Sequence, residues 1–242
     1  KQYIMTIYLV ILAAIAPVVW LLWTIYRKDC AQPEPTKWLM KAFVYGILSV
    51  FLSFLVSIPT SIALNLDIDK QTYSSIVEAV TDSFLLAAIP EELAKLFMLW
   101  LLLRKNPFYD EHFDGIVYAV CIGLGFAALE NISYLFGGIE DWSWISIGIM
   151  RAFISVPAHY FFAILMGYYY SIYHFGIDRS LKAKTMIFVA PIAVHGIFDS
   201  ILFCMQIDES LSGLLMVLFV IFFTKVKKKA NENMTKLLEQ DN

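Results

Sequence analysis

The stretch Ile89-Pro90-Glu91-Glu92-Leu93-Ala94-Lys95 sets two adjacent carboxylates and a lysine inside an otherwise apolar helix. The chain on either side reads as membrane-spanning hydrocarbon. Of its 242 residues 60% are hydrophobic and only 16% charged, where a soluble domain is about 45–50% apolar. The sequence is that of an integral membrane protein. An ionisable group at bilayer depth costs about 2.5–3.5 kcal/mol, so three together require partners, water or a chemical purpose.

Outward from this stretch, seven apolar segments are candidates to cross a bilayer, which takes about 20 helical residues. They are 4–26, 39–64, 84–104, 115–136, 145–174, 186–206 and 211–224, the last being the shortest. The expected fold class is all-α, a polytopic transmembrane helix bundle of about seven spans, with eight short segments as the alternative count. The third span is preceded by Thr72–Ser83, which carries Ser74, Ser75, Glu78, Thr81 and Asp82. One helix through both would be about 50 Å long against a hydrocarbon core of about 30 Å. An amphipathic surface segment joined to the span at Pro90 is therefore expected.

Charge in the connections gives orientation. Arg27, Lys28, Lys37 and Lys41, then Arg104 and Lys105, then Arg179, Lys182 and Lys184, then Lys225 and Lys227 to Lys229 fall in alternate connections. The intervening ones hold Asp67 and Asp69, Glu140 and Asp141, and Asp208 and Glu209. The positive-inside rule then puts the N-terminus outside and the C-terminus in the cytoplasm. Residues 1–229 read as one membrane domain. Residues 230–242 read as a polar cytoplasmic tail, a frayed or surface helix after a basic stop-transfer run.

Several classes are excluded. Basic patches with interleaved aromatics are absent, so no nucleic-acid partner is expected. Cys30, Cys121 and Cys204 show no CxxC spacing and suggest neither a disulfide framework nor a thiolate metal site. The first span, Ile4 to Tyr26, is too long for a signal peptide and lacks its basic leader and cleavage site. Gly123-Leu124-Gly125 follows no strand and reads as close helix packing rather than a phosphate loop.

Four of the spans carry ionisable residues toward the outer side. Glu91 is about 10 Å down, Glu130 at similar depth, Arg151 and His159 in the outer half and middle of span five, and His195 and Asp199 likewise in span six. Lys95 follows Glu91 by four residues and Glu92 by three, and His195 precedes Asp199 by four, so each set shares a helix face. Pro90, Pro157 and Pro191 precede three of the sets. Each set has a bland reading. Glu91 and Lys95 can be a structural ion pair, Glu130-Asn131 interfacial, Arg151 a snorkelling side chain, and His195-Asp199 a satisfied buried pair. Their coincidence in depth favours a shared cavity opening outward.

Such a set can activate water. One glutamate would serve as general base and then protonate a leaving amine. In a metal-dependent version Glu130, His159 and His195 would hold Zn²⁺, assembled from different helices because no HExxH is present. In a metal-free version the glutamate pair works with histidine and Asn131 as oxyanion donors. Both stand at this point. The rival from another class is an ion- or proton-coupled transporter using the same Glu, His and Asp as a relay, though no internal repeat supports it. A seven-span receptor or scaffold is a third reading, and it would not need so many ionisable groups at one depth.

These residues, in order, resemble the PrsW family of bacterial intramembrane proteases, related to the CAAX prenyl endopeptidase and Abi superfamily. The likeness runs through Glu91-Glu92-Leu93-Ala94-Lys95, Asp110 to Tyr118, Gly125-Phe126-Ala127-Ala128-Leu129-Glu130-Asn131, Arg151 to His159, Gly167, and His195-Gly196-Ile197-Phe198-Asp199. It implies an endopeptidase of the bacterial inner membrane that makes the first, extracytoplasmic-side cut in a single-pass membrane protein such as an anti-sigma factor. In residue terms it implies roles for Glu91, Glu92 and Lys95, for Phe126 and Glu130, and for His159 and His195. The family is described both as metalloprotease and as glutamic-type protease.

Overall fold

In the computed structural model, which describes residues 2–29, 32–68, 70, 72–140 and 142–241, every long regular element among the described residues is helical. Cys30, Asp69 and Asp141 lie outside the described residues. Seven helices follow one another: α1 (Gln2–Lys28), α2 (Thr36–Leu64), α3 (76–103), α4 (Asp114–Gly137), α5 (Trp144–His174), α6 (Leu181–Cys204) and α7 (Glu209–Asp241). All but α3 are long and apolar enough to cross a membrane. In α3 that character is interrupted by Glu91, Glu92 and Lys95.

The break expected at Pro90 does not occur. Ile76–Asp82 runs directly into a π-helical segment, Ser83–Ala88, and then into Ile89–Leu103. Proline has no N–H, and its ring crowds the carbonyl four residues back. A wider turn just before it relieves the crowding without ending the helix: the Ile89 N–H bonds the Phe84 carbonyl, five residues back. The same device recurs in α5, where a π-segment at Arg151–Ser155 ends with the Val156 N–H on the Arg151 carbonyl, directly before Pro157. The start of α3 is capped by the Ser75 hydroxyl, which accepts from the Glu78 N–H. Tyr73 just before it stacks on Phe203 of α6 at 4.7 Å. The polar segment is thus docked on α6 rather than separated from the span.

Helix α4 is the axis of the bundle. It is apolar on all faces, as a helix surrounded by other helices must be, and is buried from Asp114 through Ala128. Helices α1, α2 and α5 pack around it. Small residues permit this closeness: a Cβ added to Gly125 would lie 2.1 Å from the Phe43 carbonyl oxygen of α2, and one on Gly46 would lie 2.0 Å from that of Ile122. Gly123 meets Ala163 of α5 in the same way. The glycines are packing positions, as their sequence context suggests. Gly125→Val is expected to push α2 off α4 and lower the thermal midpoint by several degrees, while Gly213→Ala, which meets nothing within 4 Å, leaves it unchanged. Thermal unfolding of the purified variants checks both.

Helix α7 does not end at the basic run. Val226, Ala230, Met234 and Leu237, at spacings of four, four and three, turn one buried face to the bundle through residue 237, while Lys227, Lys228 and Lys229 stay exposed. The far end is tied down: the Asp241 carboxylate accepts from the backbone N–H groups of His112 (2.9 Å) and Phe113 (2.8 Å). Residues 230–241, expected as a frayed or surface helix, are a docked continuation of α7.

Candidate catalytic centre

Four helices converge on one buried polar cluster. Helix α3 contributes Glu91, Glu92 and Lys95, α4 contributes Glu130 and Asn131, α5 contributes Arg151 and His159, and α6 contributes His195 and Asp199. Every site residue expected from the sequence is in this cluster.

Lys95 is the node. Its Nζ lies 3.1 Å from Glu91 Oε2, 2.8 Å from Glu92 Oε1 and 3.3 Å from His159 Nδ1, and 3.9 Å from the centroid of the Phe126 ring. An ammonium carries only donor protons, so His159 Nδ1 must accept and its Nε2–H must donate, to Glu130 Oε2 at 2.9 Å. That oxygen also accepts from Arg151 NH2 at 2.7 Å. On the other flank, His195 Nδ1 donates to Glu92 Oε1 at 2.9 Å and Nε2 faces Asp199 Oδ2 at 3.1 Å. Both ring nitrogens of His195 thus face carboxylates, the environment of a doubly protonated imidazole. Phe162 stacks on that ring at 4.8 Å and holds its plane.

The network runs unbroken from Arg151 through Glu130, His159, Lys95, Glu92 and His195 to Asp199. The carboxylates are those of Glu91, Glu92, Glu130 and Asp199, against the positive charges of Lys95, Arg151 and His195. Glu91 shares Lys95 with Glu92 and lies 4.0 Å from His195 Nε2.

Three expectations change. Arg151, which taken alone reads as snorkelling, is buried, bound to Glu130 and Asn131, and lies 4.3 Å over the Tyr134 ring. Asn131 is tied into the bundle: its carbonyl takes the Arg151 Nε–H and one amide hydrogen goes to the Ala14 carbonyl of α1 at 3.1 Å, so it orients Arg151. The donor set for a metal also differs. His195 is engaged at both nitrogens, and Glu130 is held by Arg151 and His159. The donor atoms that lie within 4.8 Å of one another instead belong to Glu91, Glu92 and His159. Glu92 Oε2 is buried with no hydrogen-bond partner. Two carboxylates and an imidazole suit a zinc-type ion, and the unpartnered Oε2 offers it a lone pair, so these residues fit such a group. Lys95 Nζ stands among the same three side chains, and the ammonium and an ion would compete for them. Phe162, Tyr134 and Ala14 were not anticipated as parts of the site. The only sequence signals were that Phe162 follows His159 by three and Tyr134 follows Glu130 by four.

A buried cluster of carboxylates, imidazoles and a lysine, assembled inside a bundle with six candidate membrane spans, is the equipment of a multi-pass membrane hydrolase. The chain belongs to the family described as PrsW family intramembrane metalloprotease, whose model matches residues 34–226. It is 34% identical to Protease PrsW of Clostridioides difficile (strain 630) over 218 residues, 89% of this chain and 87% of that one. It is 33% identical to Protease PrsW of Bacillus subtilis (strain 168) over 195 residues, 80% and 82% of the two chains. A third relative, Protease PrsW of Oceanobacillus iheyensis, is 34% identical over 91% of this chain and 95% of its own. No solved structure matches. The protein is an intramembrane peptidase of the cell membrane, and this membership decides against the transporter reading.

Proposed function

We propose that this protease cuts a single-pass membrane protein near the extracytoplasmic side, on an anti-sigma-factor-like substrate, with water activated by Glu91. The observation that carries the reading is the network through Lys95, in which Glu91 meets the ammonium that it shares with Glu92 and lies 4.0 Å from His195. Glu91 accepts a proton from water as the oxygen attacks the scissile carbonyl carbon, then passes it to the leaving amine. Lys95 and His195 set positive charge beside the developing oxyanion. Glu92 holds both of them in place through Oε1, and Glu130 fixes the tautomer of His159. Arg151 and Asn131 position Glu130. Where a zinc-type ion is bound, Glu91, Glu92 and His159 would hold it, and it would supply polarisation of the water and the carbonyl.

The substrate side rests on the alternation of basic and acidic connections, which sets the end of the bundle nearest Glu130 and Asp199 outside the cytoplasm. A groove of about 810 Å³ lies between α1, α5 and α7, walled by Trp20, Trp144, Phe153 and Phe161 and containing none of the ionisable site residues. It lies apart from the ionisable cluster.

The test is proteolysis of a co-reconstituted single-pass protein, with metal content measured on the same preparation. His195→Ala is expected to abolish cleavage while the protein remains folded. Stoichiometric zinc and chelator-sensitive turnover would assign the ion to the mechanism, whereas substoichiometric zinc with chelator-resistant turnover would leave Glu91 acting without it.

A further inference from the structure

A second polar cluster occupies the opposite end of the bundle. Asp114, at the start of α4, precedes Glu130 by 16 residues, about 24 Å along the helix. Around it are Asp29 after α1, Glu34 before α2, Asp110 and Glu111 before α4, and Asp241 at the end of α7. Asp29, Glu34 and Asp114 are at most 5% exposed. Among the described residues, the only basic group within ion-pair distance of any of the six is His112, whose Nδ1 lies 2.5 Å from Asp241 Oδ1. Six carboxylates thus meet at one end of the fold with one histidine to balance them.

Backbone groups satisfy part of this set. Asp114 Oδ2 accepts from the N–H groups of Asp110 (3.1 Å) and Glu111 (2.7 Å), Asp29 Oδ2 accepts from that of Glu34 (3.2 Å), and the Tyr118 hydroxyl donates to Glu34. Among the described residues Asp114 Oδ1 has no hydrogen-bond partner, although the residue is fully buried. One carboxylate oxygen each from Asp29, Glu111 and Asp114 lie within 4.8 Å of one another. Leaving a buried carboxylate oxygen unpaired is costly.

We infer that Asp29, Glu111 and Asp114 form a binding site for a hard divalent cation of the Mg²⁺ or Ca²⁺ class, separate from the catalytic centre. The donors are all oxygens, the preference of those ions rather than of zinc. Two oxygens each about 2.0–2.6 Å from one ion are at most about 5.2 Å apart, so the observed spacings allow the three carboxylates to share one. A bound ion would join the end of α1, the connection before α4 and α4 itself, next to the backbone groups that hold Asp241.

The test uses the full chain in nanodiscs, stripped with chelator and titrated separately with Mg²⁺ and Ca²⁺ while binding is followed by calorimetry and the midpoint by thermal unfolding. One equivalent of one or both ions is expected to bind, raise the midpoint and bind equally well to the Glu92→Gln variant, whose catalytic donor set is broken. Glu111→Gln, at a half-buried position, is expected to weaken binding by about tenfold or more, as is Asp114→Asn. If Asp114→Asn does not fold, Glu111→Gln and Asp29→Asn decide. No saturable binding up to about 10 mM, the weak limit for such sites, would overturn the inference. So would unchanged binding in Glu111→Gln and Asp29→Asn, or loss of binding in Glu92→Gln. None of these readouts depends on proteolysis, so the site stands or falls independently of the proposed reaction.

Discussion

Glu91→Gln is expected to lower cleavage of a co-reconstituted single-pass substrate by about 10³-fold or more, within the range of a lost general base, with the thermal midpoint near that of the parent. The amide has the shape of the carboxylate and still accepts from Lys95 Nζ, 3.1 Å away, but it cannot take a proton from water. Because the loss lies in the chemical step, kcat should fall and KM should change little. Glu92→Gln is expected to abolish cleavage by another route. Glu92 Oε1 receives both Lys95 and His195, and a neutral amide holds two cations poorly, so here the midpoint also falls. Retained cleavage in Glu91→Gln, Glu92→Gln and His195→Ala together would sink the reading of this cluster as the proteolytic centre.

Lys95→Met should cost the most stability of any single change in the cluster, about 3–5 kcal/mol, the effect of removing one partner from a buried ion pair. Its ammonium faces two carboxylates and the Phe126 ring inside a helix bundle. Methionine fills most of the volume but leaves those carboxylates uncompensated. Restoring charge balance on the other side should recover part of the loss, so Lys95→Met with Glu92→Gln is expected to be more stable than Lys95→Met alone. A double-mutant cycle on unfolding free energies measures this coupling. Additive effects would mean that Lys95 acts through packing and not through charge.

Much of the site was legible in the sequence because ionisable side chains in apolar spans are conspicuous. Glu91, Glu92, Lys95, Glu130, His159, His195 and Asp199 stand out by insertion cost alone, and the i, i+3 and i, i+4 spacings correctly paired Lys95 with both glutamates and His195 with Asp199. Pairings between helices were not legible. Nothing local tells His159 to join Lys95 to Glu130, or Asn131 to spend its amide on Ala14. The grouping of metal donors was not legible for the same reason: Glu130, His159 and His195 are ligands by type, while the donor atoms that lie together are those of Glu91, Glu92 and His159, and His195 faces Glu92. The break expected at Pro90 failed on a local point. Proline forbids one α-helical bond, and a π-turn meets that constraint as well as a break does.

By itself the sequence determined that this is a membrane helix bundle, roughly where its apolar segments fall, and which ionisable side chains sit within them. Those are consequences of transfer free energy and helical period, which belong to each segment alone. Only the tertiary structure decided which charges neutralise one another, that Glu91 shares its ammonium with Glu92, and that the polar end of α7 docks beside a second acidic cluster. Those outcomes depend on how far each helix is turned about its axis. Contacts such as Gly125 against the Phe43 carbonyl set that rotation, and they exist only once the helices have packed.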